Sequence, residues 1–164
     1  MRIFVVIAFL VASLPVWANE TEAVRAYIEH DKRKLRPSKI ASAVELVDPI
    51  VTISKEEGID PMLTAVMIRF ESSFRPGVVG KLGERGLMQV HGIALNGRKL
   101  ATVRDEVRRG VVYLAACVRR CGSILGGINR YMSGRCDPIY NRPRARWRHY
   151  QWATQKFKGG KDEI

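Results

Sequence analysis

The sequence predicts one mainly α domain with little or no β-sheet. Three observations point there. Apolar residues recur at helical spacing along several stretches, and Val103, Val107, Val111, Leu114 and Val118 trace the clearest single face. Start and stop signals bracket those stretches: Asp60-Pro61 opens one, and Gly122 closes another. Strict apolar–polar alternation, the mark of a half-buried strand, is scarce. With 164 residues, 46% of them hydrophobic, the chain can build one real core and is too short for two comfortable ones.

From the N-terminus, Arg2 precedes an almost purely apolar run, Ile3 to Leu14, and Val16-Trp17-Ala18 then offers small residues. This reads as a secretory signal peptide over residues 1–18, with cleavage expected after Ala18. The run is shorter than the ~20 residues that span a bilayer, so export outweighs a membrane anchor. The mature chain is expected to be periplasmic or secreted, with no membrane attachment. Residues 19–37 are polar and charged, and read as an N-terminal arm, loose or partly helical, without chemistry of its own. The folded domain is expected over 38–158, followed by a flexible tail at 159–164.

Within 38–158, Ile40, Val44, Val47, Ile50, Val51 and Ile53 begin the apolar pattern, and Pro49 interrupts it. The expectation is a kinked helix or two short ones, with Asp48 capping the second. Asp60 and Pro61 then serve as N-cap and first residue of a helix whose buried stripe is Leu63, Val66, Met67 and Phe70. Glu71 falls in its last turn, beside the apolar face. Gly77, Gly80, Gly83 and Gly86 punctuate a loop. A long helix runs from Thr102 or Val103 to Cys121, a shorter one from about Ile124 to Met132, and a final one from Arg144 to Phe157 with Trp147, Tyr150, Ala153 and Phe157 in line.

Export makes a disulfide reasonable among Cys117, Cys121 and Cys136. Cys117 and Cys121 lie four apart on a helix, with Cβ atoms ~5–6 Å apart against the ~3.8 Å a disulfide needs. Either can instead meet Cys136. Cys121, at the helix end beside Gly122, is the better placed, which leaves Cys117 as a buried thiol. A zinc site lacks a fourth ligand, because His30, His91 and His149 are scattered. No metal or cofactor is expected. The formal charge of +12 speaks of partners. For an exported chain those are anionic envelope polymers, and export argues against nucleic acid.

The chemistry centres on Glu71. A solvated glutamic acid has a pKa near ~4.3 and is ionised at neutral pH. Beside Met67, Phe70 and Phe74 the charged form is poorly hydrated, and a helix C-terminus also disfavours it. Both effects keep a proton available for donation. Glu84, between Gly83 and Arg85, reads as a solvated turn residue without a catalytic part. Asp105 and Glu106 favour the N-terminal dipole of the long helix.

Three segments now come together in order: Glu71-Ser72-x-Phe74-x-Pro76, then Gly83-x-x-Gly86-Leu87-Met88-Gln89, then Tyr131-Met132-Ser133-Gly134. Over roughly Ile40 to Gly134 the chain resembles the soluble-lytic-transglycosylase family, whose small members serve secretion, conjugation and phages. The resemblance implies a lysozyme-like (goose-type/transglycosylase) fold and peptidoglycan glycan strands as substrate. It implies cleavage of the β-1,4 bond between N-acetylmuramic acid and N-acetylglucosamine. Glu71 would protonate the leaving oxygen and then take the proton of the muramic 6-hydroxyl, giving 1,6-anhydro ends without water. The substrate's N-acetyl group would stand in for the second carboxylate that ordinary glycosidases use. Gln89, Tyr131 and Gly86 are the implied sugar-contacting residues, Gln89 offering its amide to the sugar or to Glu71, and Tyr131 its hydroxyl to the N-acetyl group or to Glu71; His91, in the loop, is a further candidate sugar ligand read from its place in the sequence. Secretion or conjugation machinery is the implied partner class, and the chain is expected to be a monomer. Three positions depart from the family pattern: Gly80 for serine, Met132 for asparagine, and His91-Gly92 for Met-Pro. A hydrolytic muramidase with the same cleft, or a catalytically weak peptidoglycan-binding factor, are the competing readings.

Overall fold

A computed structural model describes residues 16–35, 40–91, 100–137 and 141–158. It holds six helices among them: α1 Val16–Lys32, α2 Ala43–Glu56, α3 Pro61–Ser72, α4 Val103–Cys121, α5 Ile124–Ser133 and α6 Asn141–Lys158. No strand occurs among these residues. Two isolated antiparallel bridges, Val79–Arg85 and Arg85–Val90, tie the loop after α3. The mainly α class expected from the helical spacing is the class found. Of the expected signal peptide only Val16–Ala18 falls inside the described residues, where it opens α1. The expected 159–164 tail lies outside them.

α3 is the centre of the core, with every residue from Pro61 to Ile68 buried. Asp60 caps it as its sequence position predicts, accepting the Met62 N–H at 2.8 Å. α1, α2 and α6 pack around it, α4 and α5 pair closely, and α2 bridges to α4. α6 runs antiparallel to α3. Tyr150 and Lys158 bond the Asp60 carboxylate at the start of α3, at 2.8 and 2.6 Å. Arg146, nearer the start of α6, meets Glu71 at the end of α3.

The structure corrects three expectations. The segment read as a polar arm supplies most of α1, and Ala23, Val24, Tyr27 and Ile28 are buried in the common core. Its apolar residues sit at i, i+1, i+4 and i+5, a narrow helical stripe masked by the charges around it. The core therefore begins well before residue 38. Second, of the single helix and the two short ones left open, the structure has one helix, α2, and its N-cap is Ser42, in a reciprocal capping box with Glu45, where Asp48 is the cap expected for a second helix. Pro49 removes one backbone donor, but burial of Leu46, Val47, Ile50, Val51 and Ile53 carries the helix through it. Third, Phe70 is 37% exposed and is not part of the buried stripe. One position short of Glu71, it faces the rim where α6 crosses.

Cys121 and Cys136 form a disulfide, and Cys117 is a buried free thiol. Asn129 fixes the same segment by donating to the carbonyls of Arg135 and Asp137.

Candidate active site

Glu71 sits where α3 runs out. Ser73 caps the helix with φ 54°, and Phe74 follows at φ 60°. Two consecutive left-handed residues without glycine are strained. Complete burial of the Phe74 ring and the Ala41 N–H bond to its carbonyl, 3.0 Å, hold the turn. The chain thus reverses immediately behind the carboxylate.

The following loop folds back over itself to make one wall. Gly86 donates to the Val78 carbonyl at 2.9 Å, and Arg85 and Val90 exchange two backbone bonds of 3.0 and 3.1 Å. Beneath it lies Glu106 of α4, buried, accepting the Gly77 N–H at 2.9 Å and the Leu87 N–H at 2.7 Å. Helix-dipole reasoning assigned Glu106 only a place in the first turn of its helix. Its larger part is to close both ends of the loop. Burial pushes its carboxyl up, while the two N–H donors act the other way. Gly86 has φ 77°, and a Cβ there would come within 2.9 Å of the Glu106 side chain. Gly86 is required for this close approach and sits behind the wall, away from the cleft surface.

The cleft itself, about 500 Å³, is lined by Glu71, Gly80, Glu84, Gln89, His91 and Tyr131, with Tyr113, Met132, Arg142 and Arg146 among its other walls. The three sequence segments singled out around Glu71, Gln89 and Tyr131 therefore meet in one groove. The hydrogen bonds of Gln89 and Tyr131 do not run to Glu71. Gln89, at φ 47°, turns its amide N–H group inward to the carbonyls of Val78 and Gly86, at 3.0 and 2.8 Å, rather than toward Glu71. Tyr131 donates to the Met88 carbonyl at 2.6 Å, not to Glu71. Burial and the nearby Glu71 charge hold its phenol well above the ordinary value, so it remains a proton carrier fixed in place. His91 is exposed on the cleft lining. Glu84, read from sequence as a solvated turn residue, also faces the cleft.

One residue in contact with Glu71 escaped the sequence reading. Arg146 of α6 places its Nη2 3.0 Å from Glu71 Oε1, with the two side chains only 11% and 17% exposed. Its guanidinium also stacks on the Phe70 ring, 5.1 Å from the centroid. Burial pushes the Glu71 carboxyl up, Arg146 pulls it down by charge and hydrogen bond, and Glu84 pushes it up again. The upward effects win. A carboxyl balanced in this way can donate a proton and also survive as an anion, which a group acting as acid and then as base requires. Among the described residues, no three His, Cys, Asp or Glu side chains gather so as to hold a metal ion.

The family model of the transglycosylase SLT domain matches residues 48–135, more than half of the chain. The chain belongs to the SLT transglycosylase family. Its lysozyme-like, mainly α fold is the family's, and lytic transglycosylation of peptidoglycan is the activity that family membership indicates. No curated protein matches the chain. The SLT match takes in Glu71, Gln89 and Tyr131. It stops before α6, so Arg146 and Arg142 come to the SLT cleft from outside the matched segment.

Proposed function

We propose that this SLT domain is an exported lytic transglycosylase that cuts the β-1,4 bond between N-acetylmuramic acid and N-acetylglucosamine, with Glu71 as general acid and then general base. The observation that carries the reading is the half-dry Glu71 carboxyl, 17% exposed and held high by burial, on the lining of a groove of about 500 Å³ shared with Gln89 and Tyr131. Glu71 gives its proton to the bridging oxygen as the bond to the anomeric carbon breaks. Burial favours the proton before this step, and Arg146 stabilises the carboxylate after it. The muramic 6-hydroxyl then attacks the anomeric carbon and returns its proton to Glu71, leaving a 1,6-anhydro ring. Positioned general acid catalysis of this kind contributes ~10²–10⁴-fold. Export rests on the N-terminal sequence, Arg2 followed by the apolar run to Leu14. The net positive charge would concentrate the protein on an anionic wall, and less so as salt rises.

Zymography of wild type beside Glu71→Gln, with mass spectrometry of the digested wall, tests this. Clearing by wild type alone, with anhydro ends, is expected. Reducing ends, heavier by one water, would make the protein a muramidase. Equal clearing by both proteins would remove Glu71 from its role, and clearing by neither would favour a wall-binding factor.

A further inference from the structure

We propose that Glu84 is a second residue of the reaction: its carboxylate accepts the N–H of the 2-acetamido group on the sugar whose bond is broken, and holds that group's carbonyl oxygen against the anomeric carbon. This inference rests on the reading above and names the part of the site that aligns the substrate's own nucleophile.

The position of the carboxylate comes from the loop. Gly80 donates its N–H to the Glu84 carbonyl at 2.8 Å, closing a tight turn. The Leu82 N–H then donates to Glu84 Oε2 at 3.0 Å, so the side chain folds back over the turn instead of extending into solvent. It comes to lie directly over Gly80. A Cβ at Gly80 would collide with Glu84 Oε2 and sit 2.8 Å from Gln89 Oε1. The missing side chain at position 80 is therefore what admits the carboxylate. Gln89 contributes through the same geometry. Because its amide N–H group is committed to Val78 and Gly86, its oxygen is turned toward Gly80.

Two acceptor oxygens thus converge over one glycine, on the wall of the groove that holds Glu71. Such a wall selects a donor. Sugar hydroxyls are donors, but in the bond-breaking step it is the amide N–H that gains positive charge. When Glu71 protonates the leaving oxygen and the C1–O bond breaks, the acetamido carbonyl oxygen bonds C1 and the ring that forms carries its positive charge partly on nitrogen. A carboxylate against that N–H binds the transition state more tightly than the ground state, which is the condition for catalysis. The 6-hydroxyl next attacks C1, the carbonyl oxygen leaves as a neutral acetamide, and the hydroxyl proton passes to Glu71. Glu84 neither gains nor loses a proton. Its negative charge also raises the proton affinity of Glu71, so both carboxylates favour the same first step.

Glu84→Gln, Gly80→Ala and Glu71→Gln, each checked for folding by circular dichroism and thermal melt, decide the matter with two readouts. The first is kcat and KM on purified glycan strands. The second is the Kd of a thiazoline analogue of N-acetylglucosamine, which mimics the bicyclic ion when its ring nitrogen is protonated. Glu84→Gln should lower kcat on the order of 10²-fold with KM little changed, and weaken the thiazoline roughly tenfold or more, as loss of a charged hydrogen bond does. Gly80→Ala, which keeps Glu84 but displaces it, should repeat both effects. Glu71→Gln should lose turnover and still bind the thiazoline, so a failure of the Glu71 role shows in turnover while the Glu84 role is read from binding. Unchanged thiazoline affinity and unchanged kcat in folded Glu84→Gln would overturn the proposal.

Discussion

At the scale of single residues, the decisive pair is Glu71 and Arg146. A general acid needs its proton at working pH, and a cation 3.0 Å away works against that. In the proposed reaction the arrangement works only because burial outweighs the cation. This gives a direction for pH. Activity that needs the protonated acid falls as pH rises through the Glu71 pKa. Arg146 lowers that pKa, so removing its charge raises it further, and in Arg146→Gln the alkaline limb of kcat/KM should move to higher pH. A pH–rate profile of the variant beside wild type checks the sign. A limb moving to lower pH would show that the cation does not oppose protonation of Glu71. Glu71 was legible from sequence because its helix, its apolar neighbours and its motif all lie close along the chain. Arg146 was not. It stands 75 residues away among several arginines of one helix, and spacing does not say which of them turns inward.

At the scale of elements, the loop between α3 and α4 is the working part, and α4 holds it. Glu106 is a buried carboxylate that satisfies two backbone donors 10 residues apart, Gly77 and Leu87. Removing it strands the buried Leu87 donor and releases the exposed Gly77 end of the loop. Glu106→Ala should therefore cost about 1–3 kcal/mol in denaturant unfolding and lower kcat, because the loop carries Gln89 and Glu84. Glu106→Gln, with one acceptor oxygen, should fall between the two. Full stability and full activity in Glu106→Ala would show that the loop holds its shape unaided. The helices themselves were largely readable. α4 was bounded within one residue, since Thr102, the apolar face and Gly122 agree on its ends. α1 was harder to read because a four-residue stripe among charges looks like a solvated segment until α2, α3 and α6 cover it.

At the scale of the whole molecule, the three motif segments belong to α3, the following loop and α5, and what keeps these in register is the packing of α4 on α5 and α6 on α3. The disulfide acts at the far end of α4, where it ties Cys121 to the chain leaving α5 across a separation of 15 residues. By the loop-closure argument it contributes ~3 kcal/mol. Cys121→Ser should lower Tm by about 6–12 °C for a chain of this size, and reductant should bring wild type to the same value. Asn129 still anchors the segment through two carbonyls, so the variant should fold. A Tm unaffected by both mutation and reductant would remove the bond from the protein's stability.

The sequence by itself determined the helical class, most helix ends, the place of Glu71 at the end of α3 and the family, because each rests on residues near one another along the chain: caps, a 3.6-residue period, and motifs of fixed order. Only the tertiary structure decided what surrounds the acid. The Arg146 contact and the burial of Glu106 under the loop depend on how close-packed elements meet, and local spacing carries no record of distances across a core; the inward turn of Gln89 and the folding of Glu84 over Gly80 depend on the path of an irregular loop, which has no period to read.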